Sequence, residues 1–319
     1  MPSLFITRPL PEEVVAAARG HFEVTVRDET EPMTVAESVA ALEGFDAILP
    51  TLRDPLNAET IGKASDCRAK ILANFGVGYN HIDVAAARDR GMMVTNTPGA
   101  VTDATADIAM TLILMTCRRA GEGERMVRAG DWTGWHPTQL LGMHVTGRTL
   151  GIVGMGRIGK AIARRAALGF GMKVVFHNRS WVDDVGVASH QMDTLEDVCR
   201  AADILVVAVP ATPETHHIID ETALAAMPSH AVLINIARGD VVDEAALIRA
   251  LREGHIGGAG LDVYEFEPEV PEALKAMENV TLLPHLGTSC LEVRVGMGLM
   301  AVDNLIAWAE GRAVPNPVG

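Results

Sequence analysis

The sequence predicts an α/β fold of two domains, each a parallel sheet wrapped by helices. Three observations carry that expectation. Short apolar runs alternate with helical stretches along most of the chain, the pattern of strands joined by crossover helices. A chain of 319 residues, 48% of them apolar, is long enough for one large or two ordinary domains and can bury a sizeable core. One apolar strand runs straight into a glycine-rich turn and then a helix, beginning a unit of better-defined β-α alternation.

In the first hundred residues, strands are expected at Ser3–Ile6, Ala47–Pro50, Ile71–Asn74 and Met92–Thr95, with helices at Pro11–Gly20 and Ile82–Arg90. Asn96-Thr97-Pro98-Gly99 makes a sharp turn, because a proline disfavours the helical region at the residue before it. A long apolar helix from Ala100 to about Ala120 follows, closed by Arg118, Arg119 and Gly121. Next comes a polar loop, GDWTGWHPTQLLG. Beyond it, strands are expected at Thr149–Val153, Lys173–Asn178, Ile204–Val209, Ala231–Ala237, Gly258–Val263 and Val280–Leu283. The chain then closes on a helix from Leu291 to Glu310.

Charge removes several function classes. Against 27 Lys and Arg stand 41 Asp and Glu, a formal net charge of −14. Nucleic-acid binders and proteins that coat anionic membranes need a basic face, so neither partner is expected. An aromatic content of 4% also leaves little for base stacking. The start MPSLFITRPLPEE lacks a basic segment followed by an apolar one, so no signal peptide is expected. Cys67, Cys117, Cys199 and Cys290 form no C-x-x-C pair, which suits reduced, mostly buried thiols in a cytoplasmic protein. No metal is expected either: no H-E-x-x-H occurs, and His216 and His217 would point to opposite faces of a strand.

Chemistry enters at Gly154-Met155-Gly156-Arg157-Ile158-Gly159. The three glycines allow a tight turn, a close main-chain approach to a pyrophosphate and close helix–strand packing. Free N–H groups and partial positive charge at the helix start suit that anion. The next strand ends in His177-Asn178-Arg179-Ser180. Where a site for NAD would place a carboxylate on the ribose, Asn178 stands beside a guanidinium and a hydroxyl. An Asp would repel a 2′-phosphate and these groups can hold one, so NADP(H) is expected over NAD(H).

The segments NFGVGYNHID, NTPGAVTDATADIAM, VPATPETHHII, INIARGDVVDEAALIRALREGHIGGAGLDVYEFEP and LLPHLG fall in order around that turn. Together they resemble the D-isomer-specific 2-hydroxyacid dehydrogenase family. The WTGWHPTQLLG loop looks most like its glyoxylate/hydroxypyruvate reductase branch. The resemblance implies two Rossmann-like/flavodoxin-like domains with parallel sheets and an active site in the interdomain cleft. The substrate-binding domain would comprise 1–98 and 287–319, and the NAD(P)-binding domain 99–286, joined by a hinge.

It also implies a catalytic set of Arg238, Glu267 and His285. Reduction of a keto acid leaves an oxygen that must gain a proton, and an imidazole titrates in the right range to give one. A carboxylate orients that ring and favours its charged form. A permanently charged guanidinium fork suits the substrate carboxylate and the keto oxygen. By the same resemblance Val77 and Gly78 offer backbone amides to the substrate carboxylate, with Leu52, Arg53 and Arg294 on the substrate side. Asp262 would meet the nicotinamide carboxamide, and Thr102, Val209, Pro210, Ile236, Ala237 and Gly287 would line the cofactor. Trp135, with Trp132 in the same loop, would cross a homodimer interface and reach the neighbouring active site.

The expected reaction is NADPH-dependent reduction of a small 2-keto acid, glyoxylate or hydroxypyruvate, to glycolate or D-glycerate. Pyruvate, 2-ketogluconate or a bulkier keto acid are the alternatives within the enzyme class. The rival from another class is a nucleotide-sensing corepressor on the same scaffold.

Overall fold

A computed structural model describes residues 1–319 and divides them into two compact units. The first comprises Met1–Val101 and Thr288–Gly319, the second Thr102–Gly287. The chain thus passes between units at 101/102 and 287/288, where the sequence suggested 98/99 and 286/287.

In chain order the first unit carries β1 (Ser3–Ile6), α1 (Glu12–Arg19), β2 (Glu23–Val26), α2 (Val35–Gly44), β3 (Ala47–Leu49), α3 (Ala58–Lys63), β4 (Ile71–Ala73), α4 (Val84–Asp89) and β5 (Met93–Thr95). Its sheet is parallel throughout, in the order β2-β1-β3-β4-β5. That is a flavodoxin-like order. Strands β3 and β4 are buried along their whole length, whereas edge strand β2 alternates exposed and half-buried residues. β2, α2 and α3 lie outside the elements expected from sequence. Glu23–Val26 is too polar to register as an apolar run, and α3 is only six residues long.

The second unit opens on α5 (Thr102–Cys117) and α6 (Ala120–Ala129). The single helix expected to reach Ala120 is therefore two. Arg119 takes a left-handed φ of 52°, which ends the first helix and redirects the chain. Then follow β6 (Thr149–Val153), α7 (Arg157–Phe170), β7 (Lys173–His177), β8 (Ser189–Gln191), α8 (Leu195–Ala201), β9 (Ile204–Val207), α9 (Glu221–Ala226), β10 (Val232–Asn235), α10 (Glu244–Arg252), β11 (Gly258–Leu261), α11 (Glu272–Lys275) and β12 (Val280–Leu282). The closing helix of the first unit is α12 (Leu291–Ala309).

The second sheet has seven parallel strands in the order β12-β11-β10-β9-β6-β7-β8, one more than the sequence suggested. The extra strand, β8, is a polar edge segment, Ser-His-Gln. The strand order reverses between β6 and β9, and open α/β sheets bind ligands beyond the strand ends at such a point. Strands β9, β10 and β11 are fully buried, as expected of strands covered on both faces. Cys117 and Cys199 are buried, Cys67 is half-buried and Cys290 is exposed, so only part of the expected thiol burial holds. No helix is long and apolar enough to cross a membrane.

Packing of α12 on α1 within the first unit can be tested directly. A Cβ on Gly298 would lie 2.4 Å from a methyl of Val14, which is fully buried, whereas one on Gly296 meets nothing within 4 Å. Glycine in a helix interior costs about 1 kcal/mol relative to alanine, and overpacking a core costs about 1–3 kcal/mol. Chemical denaturation should show Gly296→Ala stabilised and Gly298→Ala destabilised. Equal shifts for the two would mean that the helix contact yields freely.

Candidate active site

The glycine-rich turn leaves β6 at the point where the strand order reverses. Gly154 takes a φ of 98°, and a Cβ there would strike the Ala208 carbonyl oxygen at 2.8 Å. A Cβ on Gly159 would meet the Gly154 oxygen at 2.3 Å, so this glycine lets α7 close on the strand end. Gly156, the N-cap of α7, is exposed, and space is open where its Cβ would stand. No side chain caps this helix start. A bare helix N-terminus with an open main chain fits a pyrophosphate. Arg157 is exposed beside it, while Ile158 is half-buried against the core.

The residues at the end of β7 divide by role. His177 accepts the Gly154 amide through its backbone oxygen, at 3.0 Å. Asn178 is occupied by the chain itself. Its Oδ1 accepts the Met155 amide at 3.2 Å, and its Nδ2 donates to the Ser180 carbonyl at 2.9 Å. Met155 is buried and its amide is taken, so it shapes the turn. Arg179 and Ser180 remain exposed. At the end of β9, Val209 is half-buried and Pro210 is exposed.

Arg238, Glu267 and His285 come together beyond the ends of β10, β11 and β12. Asn235 shapes the first of these ends: its Oδ1 accepts the Ala237 amide at 3.0 Å, and its Nδ2 donates to the Arg238 carbonyl at 2.8 Å. Ile236 and Ala237 are buried there. The next residue, Gly239, packs directly on the neighbouring segment. A Cβ on it would sit 1.8 Å from the Tyr264 carbonyl carbon, so only glycine lets these strand ends lie side by side.

His285 Nδ1 lies 3.0 Å from Glu267 Oε2, and Glu267 Oε1 accepts the Tyr264 amide at 3.0 Å. The Tyr264 hydroxyl donates to the Leu283 carbonyl at 2.9 Å. His285 Nε2 makes no hydrogen bond within the chain. Backbone at His285 is left-handed, with a φ of 56°, a conformation that costs a non-glycine residue about 1–3 kcal/mol. Asp262 holds it there. Its carbonyl accepts the His285 amide at 2.9 Å, while Oδ1 and Oδ2 accept the Leu286 and Gly287 amides at 2.6 and 2.9 Å. Thr105, on α5, adds a bond to the Gly287 carbonyl at 3.2 Å.

Arg238 is the least satisfied polar group of the set. One terminal nitrogen donates to the Ala237 carbonyl at 2.7 Å, and its buried Nε has no partner. Burial pushes its pKa down, opposed by the charges of Glu267 and Asp240. For Glu267, burial pushes the pKa up. The hydrogen bond and charge of His285, the Tyr264 amide and the Arg238 charge outweigh it and leave the carboxyl below its ordinary value. Burial also raises the Asp262 carboxyl, against the two amides and His285.

Three comparisons with known proteins bear on this arrangement. Residues 110–287 match the family model described as "D-isomer specific 2-hydroxyacid dehydrogenase, NAD binding domain". A glyoxylate reductase of Thermococcus kodakarensis is 44% identical over 322 residues, covering 99% of this chain and 96% of that one. The chain belongs to the D-isomer-specific 2-hydroxyacid dehydrogenase family. It is therefore an oxidoreductase that uses a nicotinamide cofactor. A putative family member from Polaromonas superposes with a TM-score of 0.93 at 39% identity, with both chains fully covered. An NADPH-dependent glyoxylate/hydroxypyruvate reductase from Sinorhizobium meliloti, solved with NADP and malonate, has a TM-score of 0.88 at 37% identity, covering 100% of this chain and 97% of that one.

The remaining expected residues of this dehydrogenase are divided between its two units. Asn74 donates to the carbonyls of Gly76 and Gly78 at 3.0 and 3.1 Å, and Asn96 donates to that of Val77 at 2.9 Å. These bonds tie down the carbonyls of the turn and leave the Val77 and Gly78 amides without partners in the chain. Leu52 is half-buried beyond β3, beside Arg53 at a left-handed φ of 73°. Arg294, on α12, donates from Nε to the Thr288 carbonyl at 2.9 Å and from a terminal nitrogen to Ser289 Oγ at 3.3 Å. Thr102 opens α5 and is half-buried. Trp135 is 80% exposed and Trp132 53%, so neither anchors its loop within the chain.

The histidine expectation needs correction. His216 and His217 stand in a turn, not a strand, and their ring centroids lie 3.9 Å apart with the planes tilted by 34°. His217 has a left-handed φ of 50°, which brings both rings to one side. Asn235, Gly239, Tyr264, Asn74 and Asn96 were not singled out from sequence. An asparagine closing an apolar strand, as in Leu-Ile-Asn and Ile-Leu-Ala-Asn, is the sequence signal that would have found two of them.

Glu267 makes acid stability informative. A carboxyl held below its ordinary value of 4.5 contributes stability that is present above the unfolded-state pKa and lost as pH falls through the folded-state one. Denaturant titrations from about pH 6 to about pH 3 should find wild type losing stability more steeply than Glu267→Gln in the acid limb. Parallel curves would show that His285 and Tyr264 do not hold the ionised form.

Proposed function

We propose that this dehydrogenase reduces glyoxylate and hydroxypyruvate to glycolate and D-glycerate, with NADPH as the preferred donor. The observation that carries the reading is the buried, unpartnered Nε of Arg238 beside the His285–Glu267 pair. A buried donor without a partner is costly, so a guanidinium kept in that state suits an anionic oxygen brought in by a ligand. When bound, the reduced nicotinamide supplies the hydride that the keto carbon accepts. Arg238 holds the carboxylate and polarises the keto oxygen. With Nδ1–H directed at Glu267, protonated His285 keeps Nε2–H to give to that oxygen, and Glu267 stabilises the charged ring until it does. The Val77 and Gly78 amides, Leu52 and Arg294 are proposed as further substrate contacts. Asp262, through its grip on residues 285–287, positions the proton donor.

The cofactor preference rests on Arg179 and Ser180, exposed past the end of β7 where a 2′-phosphate would need a cation and a hydroxyl. Glyoxylate as substrate is supported by the names of the relatives. Both readings are tested by one panel of 2-keto acids, run with NADPH and NADH in parallel. Glyoxylate and hydroxypyruvate should give the highest kcat/KM, ahead of pyruvate, 2-ketogluconate and bulkier acids. Arg179→Ala should raise KM for NADPH about tenfold, the loss of roughly one charge-assisted contact, and leave NADH nearly unchanged. His285→Ala should abolish turnover and retain NADPH binding. A wild-type preference for NADH would overturn the cofactor reading, and loss of NADPH binding in His285→Ala would overturn the proton-donor role.

A homodimer is proposed on a separate observation. Trp132, Trp135 and Leu141 are exposed within one loop, and tryptophan on a surface is a frequent interface anchor. Sedimentation should give twice the chain mass, and Trp135→Ala should weaken that association. A wild-type monomer with full activity would sink it.

A further inference from the structure

We propose that His216, His217 and Glu265 form a binding site for a divalent transition metal of the zinc class. One ligand atom from each residue can be chosen so that all three lie within 4.8 Å of one another. His217 Nε2 is 3.0 Å from Glu265 Oε1, and the two imidazoles overlap at 3.9 Å with 34° between their planes. Consecutive residues ordinarily send their side chains apart. Here His217 adopts a left-handed φ of 50°, held by a bond from its amide to the Asp240 carbonyl at 2.9 Å. That backbone sets a ring nitrogen of each histidine within 4.8 Å of the Glu265 carboxylate.

The backbone that carries Glu265 is well supported. The Glu265 amide faces Glu244 Oε2 at 3.4 Å, and Gly239 packs against its backbone nitrogen. The third ligand is thus set on a fixed segment, while exposed His216 can rotate inward. Two imidazoles and one carboxylate are a borderline donor set, suited to Zn²⁺ rather than to Ca²⁺ or Mg²⁺, which want many oxygens. Zinc bonds of about 2.0–2.2 Å place tetrahedral ligand atoms roughly 3.3–3.6 Å apart, which modest side-chain rotation reaches from this arrangement. Water would complete the coordination. None of the three residues belongs to the proposed catalytic set, although Glu265 lies two positions before Glu267 on the same segment.

The test uses full-length protein without a polyhistidine tag, stripped by chelator and titrated calorimetrically with Zn²⁺, Mg²⁺ and Ca²⁺. One Zn²⁺ should bind per chain, with no response to Mg²⁺ or Ca²⁺. His216→Ala and Glu265→Gln should each weaken Zn²⁺ binding about tenfold or more. His216 is exposed, so its removal should leave the fold intact by circular dichroism. Substituted Co²⁺ should show ligand-field bands without thiolate charge transfer. Unchanged Zn²⁺ affinity in His216→Ala, or a thiolate band indicating a cysteine such as exposed Cys290, would overturn the assignment.

Discussion

The buried carboxylate of Asp262 is the constraint on which the second unit's chemistry depends. It is 1% exposed, yet it accepts two backbone amides through its side chain, and its own carbonyl accepts a third. Charge-assisted bonds of this kind are strong, and in a buried setting they outlast most competitors for the same amides. They bind the residues after β12 to the end of β11 and hold His285 in a left-handed conformation that its side chain disfavours. Once His285 is set there, its Nδ1 meets Glu267. Tyr264 closes the arrangement by donating its amide to Glu267 and its hydroxyl to the Leu283 carbonyl.

A division of labour among polar groups follows through the molecule. Asn96, Asn178, Asn235 and Asp262 spend hydrogen bonds on the main chain of nearby turns, as does Nδ2 of Asn74. Among the groups the chain leaves unsatisfied, those suited to a ligand are Arg238 Nε, His285 Nε2, the Val77 and Gly78 amides, and the bare start of α7. Buried polar groups are costly when unpaired, so an unpaired group beside several saturated ones is informative. This arrangement also accounts for anion binding by an acidic chain. The net charge of −14 is spread as −6 over the first unit and −8 over the second, so neither attracts anions as a whole. Local donors with fixed geometry must do so instead.

Much of this was legible in the chain. The glycine-rich turn and the buried strands follow from local composition, and the Arg, Glu and His positions are what the family resemblance of the ordered motifs implies. Edge strands β2 and β8 escaped because polar edges carry no apolar run. The break at Arg119 escaped because a left-handed arginine leaves no mark in composition. Asn178 was read as a ligand group, and the fold turned both of its polar atoms onto the chain. His216 and His217 were read as diverging, and one positive φ brought their rings together.

By itself, then, the sequence determined the α/β class and the dinucleotide turn. These depend on periodicity and residue type, which are local. Tertiary structure decided which hydrogen-bonding atoms are spent and which stay free, because that depends on partners far apart in the chain. Asp262 reaches Leu286 and Gly287, Gly239 abuts Tyr264, and Arg238 Nε is left with no partner.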